Sequence, residues 1–311
     1  MKFGSILAVL LITPVAALAD GSGLTSALQN TYRACVGIDE DLNEMKRMAG
    51  INTAITGLGT GLGVGATATG LSKANLDKKI EKWEDILAKK IAEQQASGNI
   101  PNKPISDEEL NTLLAAFAIP EITETQTKIA QATAKSKKLG NWRTGLLVGD
   151  TVANVTGSVI AAKNRVDKDL QAKVTDCING VNTLKNAIAS ARVAGYDIGE
   201  AQQIYDACRE YEYIDLTPIN KRATGAMVSS IAGAITAGIG TVTSAAANSD
   251  KIRTDNSDAG KAKEKKLNTA SNVLAAGSTV ASATATVFNA SQIATIKKVA
   301  KVASECTEAL K

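Results

Sequence analysis

The sequence predicts an all-α protein in which two duplicated, long antiparallel helical hairpins form an elongated, coiled-coil-like bundle with Gly/Ala-rich seams. Proline occurs only at 14, 101, 104, 120 and 218, and aromatics make up 3% of 311 residues. Long segments therefore lack both helix breakers and bulky core fillers. Apolar residues recur at alternating spacings of three and four, the period of a helix with one buried face. The chain also resembles itself: Tyr32-Arg33-Ala34-Cys35 returns as Tyr205-Asp206-Ala207-Cys208. Gly149-Asp150-Thr151-Val152-Ala153 returns as Gly277-Ser278-Thr279-Val280-Ala281, 128 positions later, as Lys137-Lys138-Leu139 returns at Lys265-Lys266-Leu267. Likeness at a fixed offset marks a repeated structural unit. The expected organisation is a signal segment at 1–19, a first hairpin unit at 20–190 and a second at 191–311.

The opening segment carries Lys2, an apolar run from Ile6 to Val15, and small residues at Ala17 and Ala19, the pattern of a signal peptide cut before Asp20. That run is far short of the roughly 20 residues a membrane span requires. Export of a bacterial type, to the periplasm or the medium, is the expected destination. There, Cys35, Cys177, Cys208 and Cys306 meet an oxidising compartment, and their even count predicts two disulfides. The turn signals at Ser97–Pro104 and at Asn248–Gly260 place a reversal midway through each unit, with Ser106 and Glu109 forming a capping box after the first. The arms on either side of each reversal are nearly equal, which sets Cys35 beside Cys177 and Cys208 beside Cys306. A crossed pairing between the units is the alternative, since all four cysteines then lie near one end.

Within the first helix, Ile51, Ile55, Leu58, Leu62 and Gly65 begin a stripe that continues to Leu87. In the next, Val152, Val159 and Val166 repeat every seven residues, partnered by Val148, Val155 and Ala162; the last helix repeats this with Val273, Val280 and Val287. These heptads read as a packing seam of Val and Ala. The spacing of Gly57, Gly61 and Gly65 reads as a glycine-zipper contact that brings helices close.

With no histidine in the chain, His-based metal sites and Ser-His-Asp or Cys-His catalysis are excluded. The sequence predicts no enzyme, no cofactor and no metal. A net charge of +4, spread among both signs, gives no footprint for nucleic acid. Gly61-Leu62-Gly63-Val64-Gly65-Ala66 has the outline of a dinucleotide fingerprint but lies inside a helical pattern with no preceding strand. Lys261, Lys263, Lys265 and Lys266 form a basic cluster able to meet a membrane surface, and Tyr205, Tyr211, Tyr213 and Trp142 are candidates for an aromatic platform. Asn154 and Asn289 head glycosylation sequons.

Four stretches carry few charges: 48–72, 144–162, 223–249 and 267–296. Two features argue against insertion. The last stretch holds 13 Ser, Thr, Asn or Gln and only eight Leu, Ile, Val or Phe. With Val152 on the seam, Asp150 falls on the opposite face and would meet lipid. The expectation is thus an exported, non-enzymatic helical rod of the cell envelope that acts through a protein partner or by self-association. The alternative is a membrane-active protein whose glycine-rich hairpins insert and oligomerise.

Overall fold

The computed structural model describes residues 22–98, 120–253, 255 and 257–311. The expected signal segment at 1–19, the prolines 101 and 104, and the capping box at 106 and 109 lie outside the described residues. The structure is 92% helical, and no strand occurs among the described residues. The helices are α1 (Ser22–Cys35), α2 (Ile38–Ala96), α3 (Pro120–Lys163), α4 (Lys168–Val193), α5 (Gly199–Cys208), α6 (Thr217–Ala247), α7 (Asp250–Arg253) and α8 (Asp258–Ala309). A 3-10 turn, Arg209–Tyr213, continues α5.

The chain divides into two compact units, and each draws on both sequence halves. The first contains the described residues through Asn52, with 160–225 and 288–311; the second contains 53–159 and 226–287. The long helices α2, α3, α6 and α8 each contribute to both.

The first unit is built in the ordinary way, with its apolar side chains inside. Ile38, Leu42, Val181, Tyr211, Ile219 and Ile296 are fully buried in one core. That core also holds both disulfides: Cys35 is bonded to Cys177 and Cys208 to Cys306, with Cα separations of 4.7 and 4.5 Å. These are the pairs expected at the open end of each hairpin, not the crossed ones. The chain turns from α1 into α2 at Gly37, whose φ of 86° is a conformation that side-chain-bearing residues avoid. Helix α1 lies close against α4: the Thr31 hydroxyl donates to the Gly180 carbonyl at 3.0 Å, and a Cβ on Gly180 would stand 3.1 Å from the Thr31 backbone. Helix α3 stops at Lys163, and Asp167 restarts the chain by accepting from Leu170 N at 2.7 Å, an N-cap that the expected continuous heptad through Val166 passed over. The phenol of Tyr211 is fully buried, and its hydroxyl has no hydrogen-bond partner among the described residues. Burial pushes its pKa well above the usual tyrosine range.

The second unit is a four-helix arrangement of α2, α3, α6 and α8. Asp77 pairs with Ser136 and Gly65 faces Leu146, so α2 and α3 run antiparallel. Ser271 meets Gly240 and Ser278 meets Gly233, which makes α6 and α8 antiparallel as well. These are two long helical hairpins. Helices α3 and α8 run in the same direction in register: Asp150 bonds to Ser278, and Asn154 to Ser282, each across 128 positions of sequence. The positions that matched in the sequence repeat therefore meet face to face.

Candidate functional site

The second unit has its polarity reversed. The faces of its four helices that point outward are apolar: Leu58, Val64 and Leu71 on α2; Val148, Val152, Val155 and Val159 on α3; Val228, Ile235, Ile239 and Val242 on α6; Val273, Val280 and Val287 on α8. Between these positions the exposed residues are mostly Ala, Gly and Thr. Trp142, also exposed, stands at the start of the α3 stripe.

Apart from Leu147, the inward faces are small or polar. On α2 they are Thr56, Gly59, Gly63, Ala66, Gly70 and Lys73, and on α3 Arg143, Leu147, Asp150 and Asn154. Helix α6 contributes Ser230, Gly233, Ala237, Gly240 and Ser244; α8 contributes Asn268, Ser271, Ala275, Ser278 and Ser282. The polar groups bond to one another in layers. Lys73 bridges Asp77 at 2.7 Å and Glu264 at 3.1 Å. Arg143, a fully buried guanidinium, donates to Ser244 at 3.0 Å, Asn272 at 2.7 Å and Asn268 at 3.0 Å. Asp150 accepts from Ser278 at 2.5 Å, Asn154 at 2.6 Å and Ser282 at 3.3 Å. Thr286 donates to Thr56 at 3.1 Å. Such a network suits a crowded interior only if glycines let the helices approach. A Cβ on Gly63 would fall 2.6 Å from Thr279 Oγ1 and 3.2 Å from its Cα, and one on Gly59 would meet Asp150. On Gly70 and Gly140 it would collide with Asn272 and Asn248.

This arrangement corrects the expected seam. Val152 and Val159 are 60% and 50% exposed, and Val280 and Val287 are 67% and 68% exposed, whereas Asp150 is 0% exposed. The heptads are real, but they face outward, and the opposite face is the packed one. Gly57 and Gly61 have nothing within 4 Å of where a Cβ would stand. Of the expected glycine contact only Gly65 touches a neighbour, Leu146 at 3.3 Å, while Gly59, Gly63 and Gly70 make the close approaches. Asn154 and Asn289 are fully buried, so neither sequon is accessible. The aromatic platform does not form as one exposed surface, because Tyr211 is buried while Tyr213 is exposed.

Neither protein-family models, nor curated proteins, nor solved structures give a match to this chain. The polarity of the second unit is therefore the observation on which a functional reading stands. Among the described residues, three segments, within Pro120–Val193, Thr217–Ala247 and Asp258–Ala309 but not in α2, are long and apolar enough to cross a membrane, with mean hydropathy of 1.3, 1.5 and 1.2. At most 33% of each such window is buried inside the protein.

Proposed function

We propose that the protein is an exported, non-enzymatic component of the cell envelope whose second unit is embedded in the bilayer as a four-helix bundle. The observation that carries this reading is the exposed apolar surface on all four helices around a hydrogen-bonded polar interior. In water that arrangement leaves most of the Val, Ile and Leu solvated while the core buries Leu147 among alanines and polar groups, the reverse of what hydrophobic burial favours. In lipid the outer face is matched, and small residues with interhelical hydrogen bonds are the packing that membrane helices use.

Lengths support the same reading. No charged residue lies between Arg47 and Lys73, between Arg222 and Asp250, or between Lys266 and Lys297; between Lys138 and Lys163 the only two are Arg143 and Asp150. At 1.5 Å per residue these stretches reach about 36 to 45 Å, enough for a hydrocarbon core of about 30 Å. Trp142 sits where an interfacial aromatic anchors a span. The objection that Asp150 would face lipid is removed by its burial. The Ser, Thr and Asn content of α8, which weighs against insertion when averaged over all its faces, is spent largely on interior bonds.

The disulfides are compatible with export, and an oxidising compartment on one side of the bilayer fits them. The test is fractionation of cells producing the full chain, followed by alkaline carbonate washing and flotation with phosphatidylcholine vesicles. The protein is expected to stay with membranes and to float. A chain that purifies without detergent as a monodisperse monomer and sediments free of vesicles would overturn the reading.

A further inference from the structure

We propose that the end of the second unit formed by 73–80, 133–140, 244–251 and 261–268 is a docking surface for anionic phospholipid headgroups. In these four stretches eleven lysines stand against three carboxylates, Asp77, Asp250 and Glu264, although the chain as a whole carries only +4. The carboxylates are already used. Lys73 holds both Asp77 and Glu264, and Lys137 holds Asp250 at 3.2 Å. The following turn of α2 adds Lys82, Glu81, Glu84 and Asp85, and there Lys265 holds Glu81 while Lys261 holds Glu84. Lys263 lies within the field of Asp255. That leaves Lys78 and Lys79 on α2, Lys135 and Lys138 on α3, Lys251 on α7 and Lys266 on α8, all exposed and without an ion pair among the described residues. Unpaired cations massed at one end repel one another and attract anions.

The kind of anion follows from where these lysines stand. At this end the outermost exposed large apolar residues are Leu71 on α2, Trp142 on α3, Val242 on α6 and Val273 on α8. Lys78, Lys138, Lys251 and Lys266 lie beyond them by four to nine residues, or about 6 to 14 Å at a helical rise. Headgroups extend a hydrocarbon core of about 30 Å to a bilayer of about 40–45 Å, so a snorkelling lysine stem sets its ammonium among the phosphates. The repeat doubles the charge at one height. Lys137-Lys138 on α3 and Lys265-Lys266 on α8 match across 128 positions, and these helices run in register. A free anion would need a cationic pocket. The cleft of about 500 Å³ at this end is lined by Asp77, Glu81, Glu84 and Glu264 as well as lysines, whereas Lys79, Lys135, Lys138, Lys251 and Lys266 stand outside it. Cations distributed over every helix just past an apolar belt match a plane of headgroups.

The proposal rests on the embedded reading for the height of the lysines, and the experiment separates the two. The full chain carrying Trp83→Phe, which leaves Trp142 as its one indole, is placed in phosphatidylcholine vesicles. An equal fraction of either phosphatidylcholine or phosphatidylglycerol carries bromine high on its acyl chains, and quenching of Trp142 is read. The brominated phosphatidylglycerol is expected to quench as though enriched about threefold around the protein, and the enrichment to fall as salt rises. It is expected to vanish when Lys79, Lys138, Lys251 and Lys266 are all changed to Gln; should that variant not fold, Lys138→Gln with Lys266→Gln is expected to lose about half of it. Equal quenching by the two lipids, or enrichment unchanged in the variants, overturns the docking surface and leaves the embedded reading standing. A chain that does not float with phosphatidylcholine, yet floats with phosphatidylglycerol and is released by salt, overturns the embedded reading and keeps the surface. One that floats with neither overturns both. Inorganic phosphate that removes the enrichment, where chloride of equal ionic strength does not, identifies a free-anion site and overturns the lipid assignment.

Discussion

Asp150 and Val152 are two residues apart and trade the places that periodicity gave them. Helix α3 carries a heptad of valines and, on the other face, an Arg143, Asp150 and Gly157 heptad. Spacing shows that two faces exist; only polarity relative to the surroundings decides which is buried, and a rule written for water chose the valines. The legible part was the repeat and its register. What was hidden is that the inward face is hydrogen-bonded across helices, which no single-helix pattern displays. Two substitutions separate the readings. Asp150→Leu leaves Ser278, Ser282 and Asn154 without their acceptor and pushes a bulky side chain against Gly59 and Gly63, and it is expected to destabilise by about 2–4 kcal/mol. Val152→Asp, on an exposed position, is expected to change unfolding in detergent by less than about 0.5 kcal/mol yet to abolish flotation, since a carboxylate facing lipid costs a few kcal/mol. Thermal melts paired with flotation of both variants check this.

The long helices were readable because proline is absent from their interiors and apolar spacing never breaks. Glycine was harder. The chain has 25 glycines, and a spacing of four suits any of several registers on α2. The register that packs is Gly59, Gly63 and Gly70, set by where Asp150, Thr279 and Asn272 stand on the neighbouring helices. Substitutions should sort accordingly. Gly63→Ala places a Cβ against the Thr279 backbone and is expected to destabilise by about 1–3 kcal/mol. Gly57→Ala and Gly61→Ala meet open space within a helix and are expected to stabilise by about 0.5–1 kcal/mol each. A thermal series of the three single variants decides between registers; destabilisation by all three would restore the zipper first read from the sequence.

For the molecule as a whole, the embedded reading makes chain connectivity into topology. If α2, α3, α6 and α8 each cross once, chain connectivity puts the cysteines on one side of the bilayer and Ser97 and Ser249, past the ends of α2 and α6, on the other. A membrane-impermeant thiol reagent is expected to label cysteines introduced at Ser97 or Ser249 from one side only, and a cysteine introduced at the exposed Tyr213 from the opposite side only. Labelling of all positions from a single side would contradict four crossings. Reduction should matter to the first unit in particular, because Cys35–Cys177 and Cys208–Cys306 span 142 and 98 positions. In the chain-entropy view each such closure contributes about 4–5 kcal/mol, so reductant is expected to lower the melting temperature well beyond what any exposed point variant does.

The span of those bonds also bears on how the protein is made. Cys35 and Cys177 bracket all of α2 and α3, and Cys208 and Cys306 bracket all of α6 and all of α8 but its last turn. On the embedded reading, neither bond closes until its hairpin has travelled out and returned. If the oxidant lies on one side of the bilayer, a hairpin stalled halfway leaves its second cysteine out of reach and its first as a lone thiol. Oxidation then works as a completion mark written once per hairpin during biogenesis. A pulse-chase with alkylation should show the first bond appearing before the second, and chains truncated at 150 should keep Cys35 reduced indefinitely.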